Sequence, residues 1–98
     1  METKDFIPVI QLCSHYKVEL SFFNELNEVG LIEITTIEHT LCLHQDRIND
    51  LEKMIRLYHE LKVNIEGIDV VFNLLQKMEN LQSELSTLQD RLRLYENE

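Results

Sequence analysis

Residues that interrupt regular backbone are scarce in this chain: its 98 residues include two glycines, one proline and no tryptophan. With so few breaks, the composition predicts a mostly helical protein. No stretch comes near the roughly 18 uninterrupted apolar residues that a membrane span requires, so no membrane contact is expected. The two cysteines, Cys13 and Cys42, form no Cys-x-x-Cys pair, which excludes a disulfide framework and the usual zinc-finger spacing. Met1 to Asp5 lacks a basic segment followed by an apolar run, so no secretory signal is read there and a cytoplasmic location is expected. Cations are short as well, with nine Lys and Arg against eighteen Asp and Glu, a net charge of −9. Up to His44 only Lys4 and Lys17 face seven carboxylates. Phosphate recognition depends on Lys, Arg and helix N-termini. Nucleic acid is therefore not expected as a partner, whereas a basic protein surface is.

The length allows one domain and a projecting element. Phe6 to Tyr16 reads as a first helix, with Val9, Ile10, Leu12 and Cys13 apolar and Pro8 suited to its first turn. Glu19 to Val29 reads as a second helix with Leu20, Phe23, Leu26 and also Phe22 inward, stopped by Gly30 as a left-handed cap. The tight Tyr16-Lys17-Val18 connection makes the pair resemble a helix-turn-helix. Leu31 to Leu43 switches to period two, with Thr35-Thr36 as the expected hairpin tip. A third helix is expected from Gln45 to Leu61, with Ile48, Leu51, Ile55 and Tyr58 at helical spacing and Asp46 in its first turn. Asn64 is an apt N-cap for a fourth.

That fourth helix carries the clearest periodicity. Val71, Leu74, Met78, Leu81, Leu85, Leu88, Leu92 and Tyr95 alternate steps of three and four, the repeat of a left-handed coiled coil. At 1.5 Å per residue the run is about 50 Å long, so its distal leucines are expected to find a second copy of the same helix. Gln82, Glu84, Gln89 and Arg91 beside the seam leave parallel and antiparallel pairing equally open. The expected division is a body at residues 1–63 and, at 64–98, a helix that packs on the body and then forms the dimerising arm.

The order helix, helix, wing, helix, dimer arm resembles the MerR-type winged helix. More closely, the chain resembles the chaperone-modulator CbpM family, small bacterial proteins built on that scaffold. Asn27-Glu28-Val29-Gly30-Leu31-Ile32-Glu33 matches the family's helix end and wing. Leu57-Tyr58-His59-Glu60-Leu61-Lys62-Val63-Asn64-Ile65-Glu66-Gly67-Ile68 matches the entry into the arm, and Gly67 makes this segment the more specific. The resemblance implies an all-α fold with a small β-hairpin wing, a MerR-like winged helix-turn-helix followed by a long C-terminal coiled-coil helix. It also implies a protein that binds the J-domain of a DnaJ-like co-chaperone and keeps it from Hsp70, to which J-domains present a positively charged helix. The alternative is a MerR-like DNA-binding transcriptional regulator. Against it, Ser21 stands where such readers have an arginine on the second helix, and Thr40-Leu41-Cys42-Leu43 stands where their wing has an arginine beside an aromatic.

The partner-binding candidates are Glu25 and Glu28, one turn apart on the second helix, and Asp46 and Asp50 at the start of the third. Each pair reads either as an acidic docking surface for a basic helix or as ordinary solvated charge, and Asp46 already serves a helix terminus. Cys42 and His44 share a strand face while His39 points the other way, and Cys13 fits a helical core as a small apolar residue, so no metal is expected. Gly67 reads as a packing residue at a close approach. No nucleophile, base and orienting group converge in the pattern and no glycine-rich phosphate loop exists. Neither enzyme activity nor a cofactor is expected.

Overall fold

The single proline decides how the chain begins. A residue before proline is pushed out of the α region, and proline itself donates no hydrogen bond. Phe6-Ile7-Pro8 is accordingly extended, and the expected first helix starts only at Val9. In a computed structural model, which describes residues 5–96, Phe6–Pro8 forms strand β1. It is followed by α1 (Val9–Tyr16), α2 (Leu20–Glu28), β2 (Thr35–Ile37), β3 (Thr40–His44), a single 3-10 turn (Gln45–Arg47), α3 (Ile48–Glu60) and α4 (Ile65–Glu96). The fold is thus mostly helical, with a small sheet and a long C-terminal helix.

The sheet has three antiparallel strands in the order β1-β3-β2, one more than the expected hairpin. Ile7 pairs with Leu43 and Pro8 with Cys42 on one side of β3, and Thr35 pairs with Cys42 on the other. Pairing on both edges makes β3 the central strand, and Cys42 and Leu43 are both buried. The hairpin tip is not Thr35-Thr36, which lie within β2. Ile37 pairs with Thr40, and the two residues between them, Glu38 and His39, have φ of 49° and 66°. Two central residues at positive φ are the mark of a type I′ turn, the two-residue loop whose twist suits a hairpin. Before β2 the expected alternation fails. Leu31 and Ile32 are both buried in irregular backbone, where Asn27 Oδ1 accepts the Ile34 N–H at 3.1 Å.

Helix ends follow local chemistry. Gly30 has φ of 85°; its N–H donates to Asn27 O, and the Leu31 N–H donates to Leu26 O at 3.0 Å, the paired bonds of a Schellman stop. α1 ends in the same way at Lys17, φ 57°, with the Val18 N–H on Cys13 O at 3.1 Å. Asn64 caps α4, its Oδ1 accepting the Gly67 N–H at 2.8 Å.

The core is supplied by Val9 and Leu12 of α1, Phe22, Phe23 and Leu26 of α2, Leu43 of β3, Leu51, Met54 and Ile55 of α3, and Ile65 and Ile68. Met54 takes a core place that periodicity gives to Tyr58, which is exposed, while Ile48 is half-buried and Leu20 turns outward. Tyr58 instead lays its ring on Phe22, centroids 4.6 Å apart. Tyr16 Oη donates to Glu52 Oε2 at 2.8 Å, tying α1 to α3. Burial first, and the carboxylate second, raise the Tyr16 hydroxyl above its ordinary pKa.

The chain divides into two compact units between Ile68 and Asp69. The second is helical to Glu96; α4, with 32 residues, is about 48 Å long. Leu74, Met78, Leu81, Leu85, Leu88 and Leu92 are between 52 and 64% exposed.

Glu38 and His39 occupy a conformation that costs residues with a side chain about 1 kcal/mol or more. The double substitution Glu38→Asn, His39→Gly is expected to raise the thermal midpoint by several degrees in a calorimetric scan. A Cβ on Gly67 would meet Val63 Cγ1 at 2.6 Å and Asn64 Oδ1 at 3.1 Å. Gly67→Ala therefore trades about 1 kcal/mol of helix propensity against displacing a stiff valine and the cap. In the Val63→Ala background the same substitution should be stabilising by about 1 kcal/mol relative to its effect in the native chain, a coupling that a double-mutant cycle measures.

Candidate protein-docking surface

α2 is amphipathic because Phe22, Phe23 and Leu26 bury one side of it. Glu25 and Glu28 lie on the rest of its surface, both exposed. Glu25 lines a crevice with Phe22, Tyr58 and His59, at the C-terminal end of α3. Asp46, in the 3-10 turn, and Asp50 lie at the opposite end of that helix, and along α3 the eight steps from Asp50 to Tyr58 span about 12 Å. The two acidic pairs therefore belong to different parts of the surface.

Asp46 and Asp50 also differ from each other. The Asp46 N–H donates to His44 Nδ1 at 3.1 Å, so the imidazole caps the turn and the Asp46 carboxylate is left 81% exposed. Asp50 is 35% exposed and sits 3.3 Å from the Arg47 guanidinium. The same guanidinium donates through Nη2 to Leu31 O at 3.1 Å. Arg47, the cation that closes the wing in sequence, is thus engaged in holding the loop after α2. Among the described residues, Asp50 is the one of the four carboxylates paired with a lysine or arginine.

From Val18 to Asp46, across α2 and the whole wing, no lysine or arginine occurs. The six carboxylates in that span, Glu19, Glu25, Glu28, Glu33, Glu38 and Asp46, are all exposed. A phosphate backbone would meet uncompensated negative charge here, and a basic helix would meet complementary charge.

The histidines and cysteines are distributed without convergence. Cys42 is buried and its Sγ donates to Thr40 O at 3.6 Å, while His39 sits at the wing tip and His44 on the turn before α3. Burial raises the Cys13 thiol above its ordinary pKa, away from the thiolate form that ligates and attacks. Among the described residues, no group of three or more His, Cys, Asp and Glu is placed to hold a metal ion. No helix there is long and apolar enough to cross a membrane.

An apolar cleft lies outside the sites expected from the sequence. Ile10, Leu20 and Leu41, 75%, 39% and 39% exposed, line a common cleft with His39 and Thr40. The topology explains their meeting. β1 leads directly into α1, and its Pro8 is paired with Cys42, so Ile10 emerges beside Leu41 of β3. The signal was present in helical angles: at 100° per residue Val9, Leu12 and Cys13 share a face and Ile10 falls off it. For Leu41 no local signal existed, because three apolar residues in succession do not say which faces of a strand are covered.

In unit two, Leu74 to Leu92 and Tyr95 of the expected seam are exposed, and Val71 is half-buried.

The sequence profile of the MerR HTH family regulatory proteins matches residues 7–90. The chaperone modulatory protein CbpM of Escherichia coli O1:K1 is 27% identical over 85 residues, which cover 86% of this chain and 84% of that protein. The CbpM of Escherichia coli O45:K1, strain S88, is similar to the same extent. No solved structure matches the chain significantly. Matched by that profile over most of its length, this chain belongs to the MerR helix-turn-helix regulatory protein family and, within it, is similar to the chaperone modulatory proteins.

Proposed function

We propose that this chain is a non-enzymatic, protein-binding chaperone modulator: it binds the J-domain of a DnaJ-like co-chaperone and inhibits its action on Hsp70. The observation that carries the reading is the absence of lysine and arginine from Val18 to Asp46, with six exposed carboxylates in the same span. A helix-turn-helix scaffold depleted of cations in this way is unsuited to a duplex and suited to the positively charged helix of a J-domain. The similarity to proteins named as chaperone modulators points in the same direction. Inhibition is steric: a J-domain whose basic helix is covered is unavailable to Hsp70, and the negative surface speeds encounter and fixes orientation. Glu25, Glu28 and Asp46 are the carboxylates most available for this role. Asp50, already paired with Arg47, contributes less.

The active species is a homodimer joined through α4. A leucine stripe that repeats every 3.5 residues and is more than half exposed along its length gains roughly 1.5–3 kcal/mol for each side chain it buries fully. A second copy supplies a matching stripe of the same length.

Two measurements test these statements. Titration calorimetry against a purified J-domain should show binding whose dissociation constant rises severalfold between about 50 mM and about 500 mM salt, and Glu25→Lys with Glu28→Lys should weaken it about tenfold at the lower salt. A J-domain affinity unmoved by either change removes the electrostatic mechanism, and a sequence-selective mobility shift with duplex DNA removes the function itself. Light scattering should give about twice the 11.7 kDa chain mass, and Leu85→Glu, which places a charge in the middle of the seam, should return the single-chain mass at micromolar concentration.

A further inference from the structure

The cleft lined by Ile10, Leu20 and Leu41 joins the starts of α1 and α2 to the wing. It is lined largely by apolar side chains. Ile10 is the most exposed isoleucine of the first unit, at 75%, and none of the three side chains is needed to fill the core. Exposed apolar groups collected in one concavity mark a binding site more often than scattered ones do.

The charged residues that adjoin the cleft lining in sequence are both acidic. Glu19, the N-cap residue of α2, immediately precedes Leu20. Glu38, at the wing tip, immediately precedes His39. Both are exposed. Lys17 and Glu19 both line the neighbouring crevice that holds Glu25 and Tyr58; on the wing side, from Val18 to Asp46, the sequence holds no lysine or arginine. A second copy of this chain would bring the same carboxylates against one another, and an anionic lipid surface would be repelled. The complementary ligand is a helix with apolar side chains on one face and lysines or arginines beside them.

We propose that this cleft is the anchor site for a basic amphipathic helix of the protein partner. Ile10, Leu20 and Leu41 receive its apolar side chains, while Glu19 and Glu38 engage its cations. The division of labour is that of a helix-in-groove interface, in which a few buried apolar anchors supply affinity and rim charges set approach and register. The inference rests on the J-domain reading for the identity of the partner, but the cleft and its chemistry stand apart from that identity. It puts the apolar contact in a different concavity from the crevice that Glu19 and Glu25 line.

The test is a titration of the isotope-labelled full chain, followed by amide and methyl chemical shifts, with two probes used separately: a purified J-domain and a designed helical peptide of alternating leucine and lysine faces. The expected result is that both probes shift Ile10, Leu20 and Leu41, and that Ile10→Ser and Leu41→Ser each weaken binding about tenfold. These positions are exposed, so the amide spectrum of each variant should remain that of the folded chain. Should the J-domain bind with its shifts elsewhere and the variants stay within about twofold of the native affinity, the cleft is not the anchor site, although the proposed function survives. Should the peptide occupy the cleft and the J-domain fail to bind, the anchor site stands and the J-domain reading falls. Should neither probe perturb the three residues, the inference is overturned.

Discussion

Pairing on both edges of β3 is the constraint on which the first unit depends. This five-residue strand takes β1 on one side and β2 on the other. It thereby draws the start of the chain, the wing and the entry to α3 to a single point. Leu43 is fully buried there, and His44, the last residue of the strand, caps the turn that leads into α3. Long-range strand pairing is entropically expensive, since a loop of more than thirty residues must close before Phe6 meets His44. The apolar side chains of α1, α2 and α3 offset that cost by packing around the sheet. Without β1 in place, α1 would have no fixed origin, and neither the helix pair nor the cleft beside the wing would have a defined geometry.

Surface chemistry then decides what such a framework can hold. A helix pair and a wing are shapes with no intrinsic preference for nucleic acid; Lys and Arg supply that preference. Here the cation closest to the wing in sequence, Arg47, is committed to Leu31 O and Asp50. What remains outward on α2 and the wing is neutral polar groups, carboxylates and a small amount of hydrocarbon, with no lysine or arginine. The same two elements that would approach a duplex therefore offer an acidic rim and an apolar floor, a combination suited to a protein helix.

The features legible in the sequence are those whose causes lie within a few residues. Gly30 stops α2 because only the left-handed conformation closes both bonds of that stop, and glycine enters it at no steric cost. Asn64 begins α4 because its side chain reaches the N–H three residues on. The acidic character of α2 needs no structure at all. Other features were illegible for an equally physical reason. The Glu38-His39 turn lacks the Asn-Gly signal, so its backbone conformation is imposed by the pairing of Ile37 with Thr40 against the local preference of both residues. Tyr58 keeps helical spacing but loses its core place to Met54, whose unbranched side chain fills an irregular space more readily. Leu20 has the same composition-level signature as Leu26, and only the way α2 lies on the other helices separates them.

Taken alone, the sequence determined the helical class, the capped end of α2 and the capped start of α4, the 3.5-residue repeat of the C-terminal helix and the negative sign of the surface, because each follows from side-chain chemistry and short-range spacing. Tertiary structure alone decided that the extended Phe6–Pro8 pairs with β3, where the hairpin turns, and that Ile10, Leu20 and Leu41 meet in one cleft. Those outcomes depend on pairing and packing that no local preference specifies, Phe6 with His44 across the sheet and Ile37 with Thr40 at the wing tip, and their stability is set by what the rest of the chain packs against them.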